Sequence, residues 1–283
     1  MPLTGGAELV GAAYAAGRGL AALNVIGLEH AEGIIAGAEA AGTGVVLQIS
    51  QNCVAYHGSL TPIGTAVLAA ARAAAVPVAV HLDHATSEEL VREAAELGFG
   101  SVMYDASVLP YADNVQATAN VAAWCHERDV FVEAELGEIG GKDGVHAAGA
   151  RTDPVQAAEF VQLTGVDALA VAVGSSHAMQ TRDAVLDLDL VRRLRAAVSV
   201  PLVLHGSSGV PDDALSAAVA AGLTKINIAT QLNKVFTAAV RSCLAEEAAM
   251  TDPRRYLTAG RDALAAEVSR LLGVLRADAG SLV

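Results

Sequence analysis

The feature that most constrains the fold is an eightfold recurrence of short runs rich in β-forming residues, separated by alanine-rich segments of helical composition. Each separating segment has room for one helix and two loops. Eight successive βα units predict a closed parallel barrel, whereas five or six predict an open doubly wound sheet. We predict strands at Ala22–Ile26, Val45–Ser50, Val76–His84, Ser101–Ala106, Val130–Leu136, Ala168–Gly174, Pro201–Gly206 and Lys225–Thr230.

The length of 283 residues fits one barrel of about 250 residues with extra elements at both ends. We therefore predict the α/β fold class, with residues 1–283 forming a single-domain (β/α)8 TIM barrel. One extra helix precedes the first strand, and two C-terminal helices follow the last, with a break near Thr251-Asp252-Pro253.

The charge balance limits the partners of the chain. Acidic residues outnumber basic residues 31 to 18, which gives a net charge of −13. Nucleic acid and anionic membrane surfaces are excluded as partners on this ground. The sequence also lacks an uncharged apolar run of about 18 residues, so we predict no membrane-spanning helix. An anionic metabolite remains possible where backbone N–H groups or local positive charge hold it.

The three cysteines are scattered and odd in number, which argues against a disulfide framework. The N-terminal region lacks the basic and apolar stretches of a signal peptide. We therefore expect a cytoplasmic protein.

Strand alternation predicts which side chains face the interior of the barrel. In the second strand Val45, Leu47 and Ile49 are apolar and face the helices, so Gln48 and Ser50 face inward. The same parity gives further inward polar residues on other strands, most of them near the C-terminal ends: Asn24, His81, Asp83, Asp105, Glu133, Glu135, His205 and Asn227. The C-terminal mouth of such a barrel is where catalysis takes place.

Three histidines are candidates for a divalent metal site at this mouth. His84 ends the third strand, His177 follows the sixth and His205 ends the seventh, and three imidazoles leave one coordination position open. Glu135 could add a carboxylate to the same ion or to a neighbouring one. Asp83 lies beside His84 and could move a proton on a substrate oxygen.

The remaining histidines have simpler interpretations. We expect His30, His57, His126 and His146 at the surface, because they lie in helix- or loop-like stretches. His81 lies two residues deeper than Asp83, which favours a structural, hydrogen-bonded role.

Two loops are candidates for binding phosphate. Gly206-Ser207-Ser208-Gly209 follows the seventh strand, and Asn227-Ile228-Ala229-Thr230 ends the eighth. Loops after these two strands commonly hold phosphate in this fold, because glycine and helix N-termini offer backbone N–H groups to an anion.

With these motifs in order, the chain resembles the class II, metal-dependent ketose-bisphosphate aldolases over essentially its whole length. The motifs that carry the resemblance are His-Leu-Asp-His at 81–84, Gly-Phe-Gly-Ser-Val-Met-Tyr-Asp-Ala-Ser at 98–107, Val-Glu-Ala-Glu-Leu-Gly at 132–137, Gly-Val-Asp-Ala-Leu-Ala-Val-Ala-Val-Gly at 165–174, Pro-Leu-Val-Leu-His-Gly-Ser-Ser-Gly at 201–209, Lys-Ile-Asn-Ile-Ala-Thr at 225–230 and Asp-Pro-Arg at 252–254.

The resemblance implies a role for each candidate residue. His84, His177 and His205 would hold one catalytic Zn²⁺, and Asp105 and Glu135 match positions used for a second or mobile cation. Asp83 would remove the C4 hydroxyl proton during cleavage. The phosphate of dihydroxyacetone phosphate would lie against residues 206–208 and 227–230. We also expect the substrate to be bound by Asn24, Ser50, Ala178 and Arg254.

The implied reaction is reversible cleavage of a ketose 1,6-bisphosphate, fructose 1,6-bisphosphate first, to dihydroxyacetone phosphate and glyceraldehyde 3-phosphate through a zinc-stabilised enediolate. Tagatose 1,6-bisphosphate or another phosphorylated keto sugar is the alternative substrate. A non-catalytic sugar-phosphate sensor is the alternative function. The resemblance also implies a homo-oligomer, either a dimer or a tetramer.

A Schiff-base aldolase on the same barrel would need a buried lysine at the mouth. Lys225 begins its strand well below Asn227, and an ion pair with an inward acid such as Glu133 explains it better.

Two departures from the family pattern concern loops. The family commonly has glycine after the second zinc histidine and then a tyrosine, where this chain has Ala178-Met179-Gln180. Relatives often carry several acids in the loop after the fifth strand, one of which is the base at the hydroxymethyl carbon. Here Asp143 is the candidate for that base; it could equally be a turn residue in Gly-Lys-Asp-Gly, and Glu135 is the next candidate.

Overall fold

The computed structural model describes residues 2–137, 151–176, 179 and 181–276. Eight parallel strands pair in sequence order, and β8 pairs with β1 to close the barrel. The strands are β1 (Leu20–Asn24), β2 (Val45–Ser50), β3 (Val78–Ala85), β4 (Ser101–Tyr104), β5 (Phe131–Glu135), β6 (Ala168–Ala170), β7 (Leu202–Leu204) and β8 (Leu223–Ile228). The predicted (β/α)8 barrel is confirmed.

Helices surround the barrel, and the extra helices predicted at both ends are present. The helices are α1 (Gly6–Ala15), α2 (Leu28–Ala41), α3 (Gln51–His57), α4 (Leu60–Ala73), α5 (Glu88–Leu97), α6 (Tyr111–His126), α7 (Pro154–Thr164), α8 (Leu188–Ala197), α9 (Asp212–Ala221), α10 (Thr230–Glu246) and α11 (Pro253–Arg276). A 3₁₀ turn spans Ser207–Gly209.

The apolar core has two layers, as the alternation predicted. Val45, Leu47 and Ile49 pack with the surrounding helices in the outer layer. The inner layer fills the barrel with residues of the opposite parity, among them Val46, and Val10 of α1 packs into it. Side chains rather than solvent therefore fill the lower barrel, and the polar inward residues lie above this apolar layer.

Several strands differ from their predicted bounds near the mouth. β6 ends at Ala170 rather than Gly174, because the backbone of Ala172 exchanges hydrogen bonds with Thr152 instead of a neighbouring strand. β7 ends at Leu204, since Gly206 has φ +67° and cannot continue a strand. These strand ends give way to the loops that form the site.

The C-terminal helix α11 packs closely against α2. A Cβ added at Gly33 would lie 2.9 Å from the Arg261 carbonyl oxygen, and one at Gly37 would lie 2.5 Å from the Ala265 carbonyl oxygen. Glycine at these positions therefore permits a close helix pair, which anchors the C-terminal segment to the barrel.

The prediction that His30 lies at the surface was wrong. His30 is buried, its ring stacks on Phe236 of α10 at a centroid distance of 4.6 Å, and burial lowers its pKa. The helix that follows the last strand covers it, and that contact is not visible in the local sequence. His57 is exposed, and 42% of the His126 side chain is accessible, as expected.

His146 lies outside the described residues. Cys53, Cys125 and Cys243 form no disulfide, as predicted. No helix in the described part of the chain is long and apolar enough to cross a membrane.

Candidate active site

The end of β3 directs two adjacent side chains to the same site. Strict alternation would turn His84 away from the face that carries Asp83. His84 instead has φ +51°, an uncommon conformation for a residue other than glycine, and the pairing of β3 with β4 shifts register between Leu82 and Ala85. The irregular strand end brings His84 beside Asp83, with His84 Nε2 4.0 Å from Asp83 Oδ1.

His84 belongs to two groups of potential metal ligands. One group joins it to Asp83 and His205, and the other joins it to Asp105 and Glu135. Within each group the donor atoms lie within 4.8 Å of one another. The rings of His84 and His205 are 4.6 Å apart and steeply inclined. Four of the five predicted metal ligands therefore converge at the mouth, and the fifth, His177, lies outside the described residues.

His205 is held by a buried ion pair beneath it. Glu133 Oε2 lies 2.8 Å from Lys225 Nζ, and Glu133 Oε1 accepts a hydrogen bond of 2.9 Å from His205 Nε2. Donation to Glu133 uses the Nε2 proton, which leaves Nδ1 as the nitrogen that could bind a metal. His205 Nδ1 lies 3.6 Å from Glu135 Oε2. A carboxylate that orients an imidazole in this way is typical of metal sites.

Asp83 is positioned by a chain of two amides. Gln48 Nε2 donates to Asn24 Oδ1 at 3.1 Å, and Asn24 Nδ2 donates to Asp83 Oδ2 at 3.1 Å. The other oxygen, Oδ1, is buried without a hydrogen-bond partner in the described part of the chain. Burial alone would raise the pKa of Asp83, but the charges of His84 and Lys225 outweigh it and hold this pKa well below its usual range.

His81 has the structural role predicted for it. Its Nδ1 lies 2.6 Å from Ser101 Oγ, and its side chain is completely buried. Burial and the nearby charge of Lys225 lower the pKa of His81 to about 3, so the ring is neutral. The ion pair proposed for Lys225 with Glu133 is also present, and Lys225 Nζ donates to Asn227 Oδ1 as well.

The donor set fits a divalent cation. Two imidazoles and the carboxylates of Asp105 and Glu135 surround one small space, and both carboxylates are buried. Buried carboxylates this close repel one another unless positive charge lies between them. Mixed imidazole and carboxylate ligands suit zinc and neighbouring transition metals.

The candidate phosphate loops are joined at the mouth. Ser208 Oγ accepts hydrogen bonds from the backbone N–H groups of Ala229 and Gln231, at 3.3 and 3.1 Å. The 3₁₀ turn after β7 therefore lies against the N-terminus of α10, where the helix dipole favours an anion. Asn227 is buried at the end of β8.

The other predicted substrate-binding residues lie in different surroundings from one another. Ser50 caps α3 by accepting a hydrogen bond from the Cys53 N–H at 3.2 Å. Arg254 lies at the start of α11 with 88% of its side chain exposed, and it pairs with Asp252 at 2.7 Å. Ala178 and Asp143 lie outside the described residues, so their predicted roles stay predictions.

Glu133, Gln48 and Lys225 were not among the predicted site residues. Parity identified Glu133 and Gln48 as inward, which is the signal that could have included them. Their partners could not be inferred, because Glu133 and His205 are 72 positions apart in sequence.

Fold and site together define a barrel enzyme with a candidate metal centre at its C-terminal mouth. The class II fructose-bisphosphate aldolase family matches residues 5–279, and the chain belongs to this family. It is an enzyme of the aldolase type, a carbon–carbon lyase.

Individual relatives agree with this assignment. A fructose-bisphosphate aldolase from Geobacillus stearothermophilus is 39% identical over 259 residues, covering 90% of this chain and 89% of the relative. The YdjI aldolase from Escherichia coli K12 superposes with a TM-score of 0.85 at 32% identity, covering 96% of this chain and 97% of that one. A putative fructose-1,6-biphosphate aldolase from Coccidioides immitis gives a TM-score of 0.85 at 29% identity, with 95% of each chain covered.

Proposed function

We propose that this aldolase reversibly cleaves fructose 1,6-bisphosphate to dihydroxyacetone phosphate and glyceraldehyde 3-phosphate. The observation that carries the proposal is a cluster of potential metal ligands beside a buried carboxylate. The ligands are His84, His205, Asp105 and Glu135. The carboxylate is Asp83, whose Oδ1 has no hydrogen-bond partner among the described residues. Tagatose 1,6-bisphosphate and other phosphorylated keto sugars are the alternative substrates.

His84 and His205, with His177, would hold Zn²⁺, on which this family generally depends. Asp105 and Glu135 would hold a second cation or a displaced first one. The bound ion supplies positive charge that offsets the negative charge developing on the substrate oxygens as the C3–C4 bond breaks.

Asp83 would take the proton of the C4 hydroxyl during cleavage and return it to the aldehyde oxygen during condensation. Asn24 fixes Oδ2 by donating a hydrogen bond to it, which leaves Oδ1 for the proton transfer. Gln48 in turn fixes the orientation of the Asn24 amide. These contacts support a direct role for Asn24 in positioning Asp83, in addition to the substrate contact expected from the sequence.

The phosphate of dihydroxyacetone phosphate would bind between the 3₁₀ turn and the start of α10. Backbone N–H groups of the turn and the positive end of the α10 dipole would supply the attraction there, which suits a chain of net charge −13. The base at the hydroxymethyl carbon would be Asp143, with Glu135 as the alternative. The Arg254 side chain is exposed and pairs with Asp252. A contact between Arg254 and the substrate would therefore have to form at the outer edge of the site.

A cleavage assay coupled to detection of triose phosphate tests the proposal with a panel of ketose phosphates. We expect the highest kcat/KM with fructose 1,6-bisphosphate. A higher value with tagatose 1,6-bisphosphate would assign that sugar as the substrate, and no cleavage of any ketose bisphosphate by the zinc-loaded enzyme would contradict the proposal.

A further inference from the structure

The segment that follows β6 lies directly on the segment that follows β7. Ser175 Oγ donates to the His205 carbonyl oxygen at 2.6 Å. Nine residues after Ser175, the Ala184 N–H donates to the Gly209 carbonyl oxygen at 2.9 Å. The two segments are thus joined on both sides of position 177, the position of the remaining proposed zinc ligand.

Close packing against the segment after β6 requires glycine at two positions of the candidate phosphate-binding turn, Gly206 and Gly209. Gly206 has φ +67°, and a Cβ there would lie 2.5 Å from the carbonyl oxygen of Ser176. A Cβ at Gly209 would lie 2.4 Å from Met179 Sδ. Glycine at both positions therefore lets the segment after β6 approach the turn closely.

Arg182 fastens the two segments at their outer edge. Its Nε and Nη2 both donate to the Val210 carbonyl oxygen, at 3.1 and 2.7 Å, and Nη2 also pairs with Asp212. Arg270 of α11 holds the same Asp212 carboxylate from the other side. With 29% of its side chain exposed, Arg182 is shielded enough for these charged hydrogen bonds to matter more than an ordinary surface pair.

We infer that Arg182 is a positioning residue that holds the described residues flanking His177 in sequence, 175–176 and 181–184, against the phosphate-binding turn at residues 206–209. The inference rests on the proposed function, because it assigns phosphate to that turn and zinc to His177. The phosphate and the reacting carbonyl oxygen of the substrate are joined by only a few covalent bonds, which limits the distance between them. A fixed spacing between the two segments therefore lets one substrate engage both at once without an ordering cost.

The expected consequence is a change in binding with little change in chemistry. Asp83 and its amide partners lie on β1, β2 and β3 and do not contact Arg182, so the proton transfer should be unaffected. Loosening the segments should weaken the binding of phosphate and of zinc together.

The test compares zinc-saturated wild-type enzyme with Arg182→Met, which removes the guanidinium and keeps the apolar stem. For Arg182→Met we expect KM for fructose 1,6-bisphosphate and the inhibition constant of inorganic phosphate to rise about tenfold, the equivalent of about 1.4 kcal/mol. The zinc dissociation constant, measured against a chromogenic chelator, should rise in the same variant, while kcat should stay within about threefold. Arg182→Lys, which keeps the charge but offers no planar fork, should fall between the two.

Arg192→Met is the matched control. Arg192 is 59% exposed on α8 and pairs with Asp189, so removing it takes away a comparable charge without touching either segment. We expect wild-type constants for it. If Arg182→Met does not fold, Asp212→Asn takes its place in the test. Asp212→Asn weakens the ion pair with Arg182 but keeps both hydrogen bonds from Arg182 to the Val210 carbonyl oxygen. It should therefore shift the same constants in the same direction, but by less.

Wild-type KM, phosphate inhibition and zinc affinity in a folded Arg182→Met, or in Arg182→Lys and Asp212→Asn together, would overturn the inference. A fall in kcat without a rise in KM would also overturn it, because that result would give Arg182 a role in the chemical step. A wild-type enzyme that neither cleaves a ketose bisphosphate nor is inhibited by phosphate would instead refute the proposed function.

Discussion

Replacing Glu133 by glutamine perturbs the ion pair beneath the site with almost no change of shape. The Glu133 side chain is 0% exposed, and its two oxygens serve different partners, His205 at 2.9 Å and Lys225 at 2.8 Å. Glutamine can still accept the hydrogen bond from His205. It cannot balance the charge of Lys225, which is nearly completely buried.

The magnitude follows from leaving that charge uncompensated. Removing one partner of a buried ion pair costs about 3 to 5 kcal/mol. Lys225 keeps its hydrogen bond to Asn227, so we expect the lower limit, about 3 kcal/mol, for Glu133→Gln. Weaker orientation of His205 should also reduce zinc affinity by about 10- to 100-fold.

Two assays are needed. Urea unfolding of the metal-free protein measures the free energy of unfolding, and a separate zinc titration of the folded protein against a chelator measures zinc affinity. The double variant Glu133→Gln, Lys225→Met removes both charges and should recover most of the lost stability. Glu127→Gln, at a side chain that is 74% exposed, is the control and should behave as wild type. Unchanged stability and zinc affinity in Glu133→Gln, or a double variant less stable than the single, would refute the reasoning.

Three further predictions concern other groups of the site. Asp83→Ala should lower kcat by about 10² to 10⁴ while zinc content stays constant, and a parallel loss of metal would show Asp83 to be a ligand or structural residue. His81 has its pKa lowered to about 3, so below pH 6.5 the unfolded chain binds a proton that the folded chain does not, and stability falls as pH falls. Between pH 7 and pH 5 this effect amounts to about 2 kcal/mol; His81→Asn should remove it from urea unfolding curves of the metal-free protein, and equal pH slopes would contradict it. Asp143→Asn should slow the exchange of one hydroxymethyl hydrogen of dihydroxyacetone phosphate in D₂O at least as much as it slows cleavage. Unchanged exchange would favour Glu135 as the base.

The sequence was sufficient to predict the barrel and the inward polar residues. Period-two alternation is a local property, and it correctly separated Val45, Leu47 and Ile49 from Gln48. The depth of Lys225 below the mouth favoured an ion pair with an inward acid such as Glu133, and the structure contains that pair.

Features that depend on irregular backbone could not be predicted in this way. The orientation of His84 arises from a positive φ and a register shift, neither of which a strand pattern contains. The hydrogen bond from Asn24 to Asp83 joins strands 59 positions apart, and the burial of His30 depends on a helix about 200 residues later. Tertiary contacts of this kind decide partner choice, and local sequence does not encode them.

The most direct test of the account is metal-dependent cleavage of fructose 1,6-bisphosphate. Enzyme treated with a chelator and freed of metal, as verified by elemental analysis, should produce no triose phosphate, and added Zn²⁺ or Co²⁺ should restore the activity through His84, His177 and His205. Full cleavage by protein that contains no divalent metal would contradict the central claim.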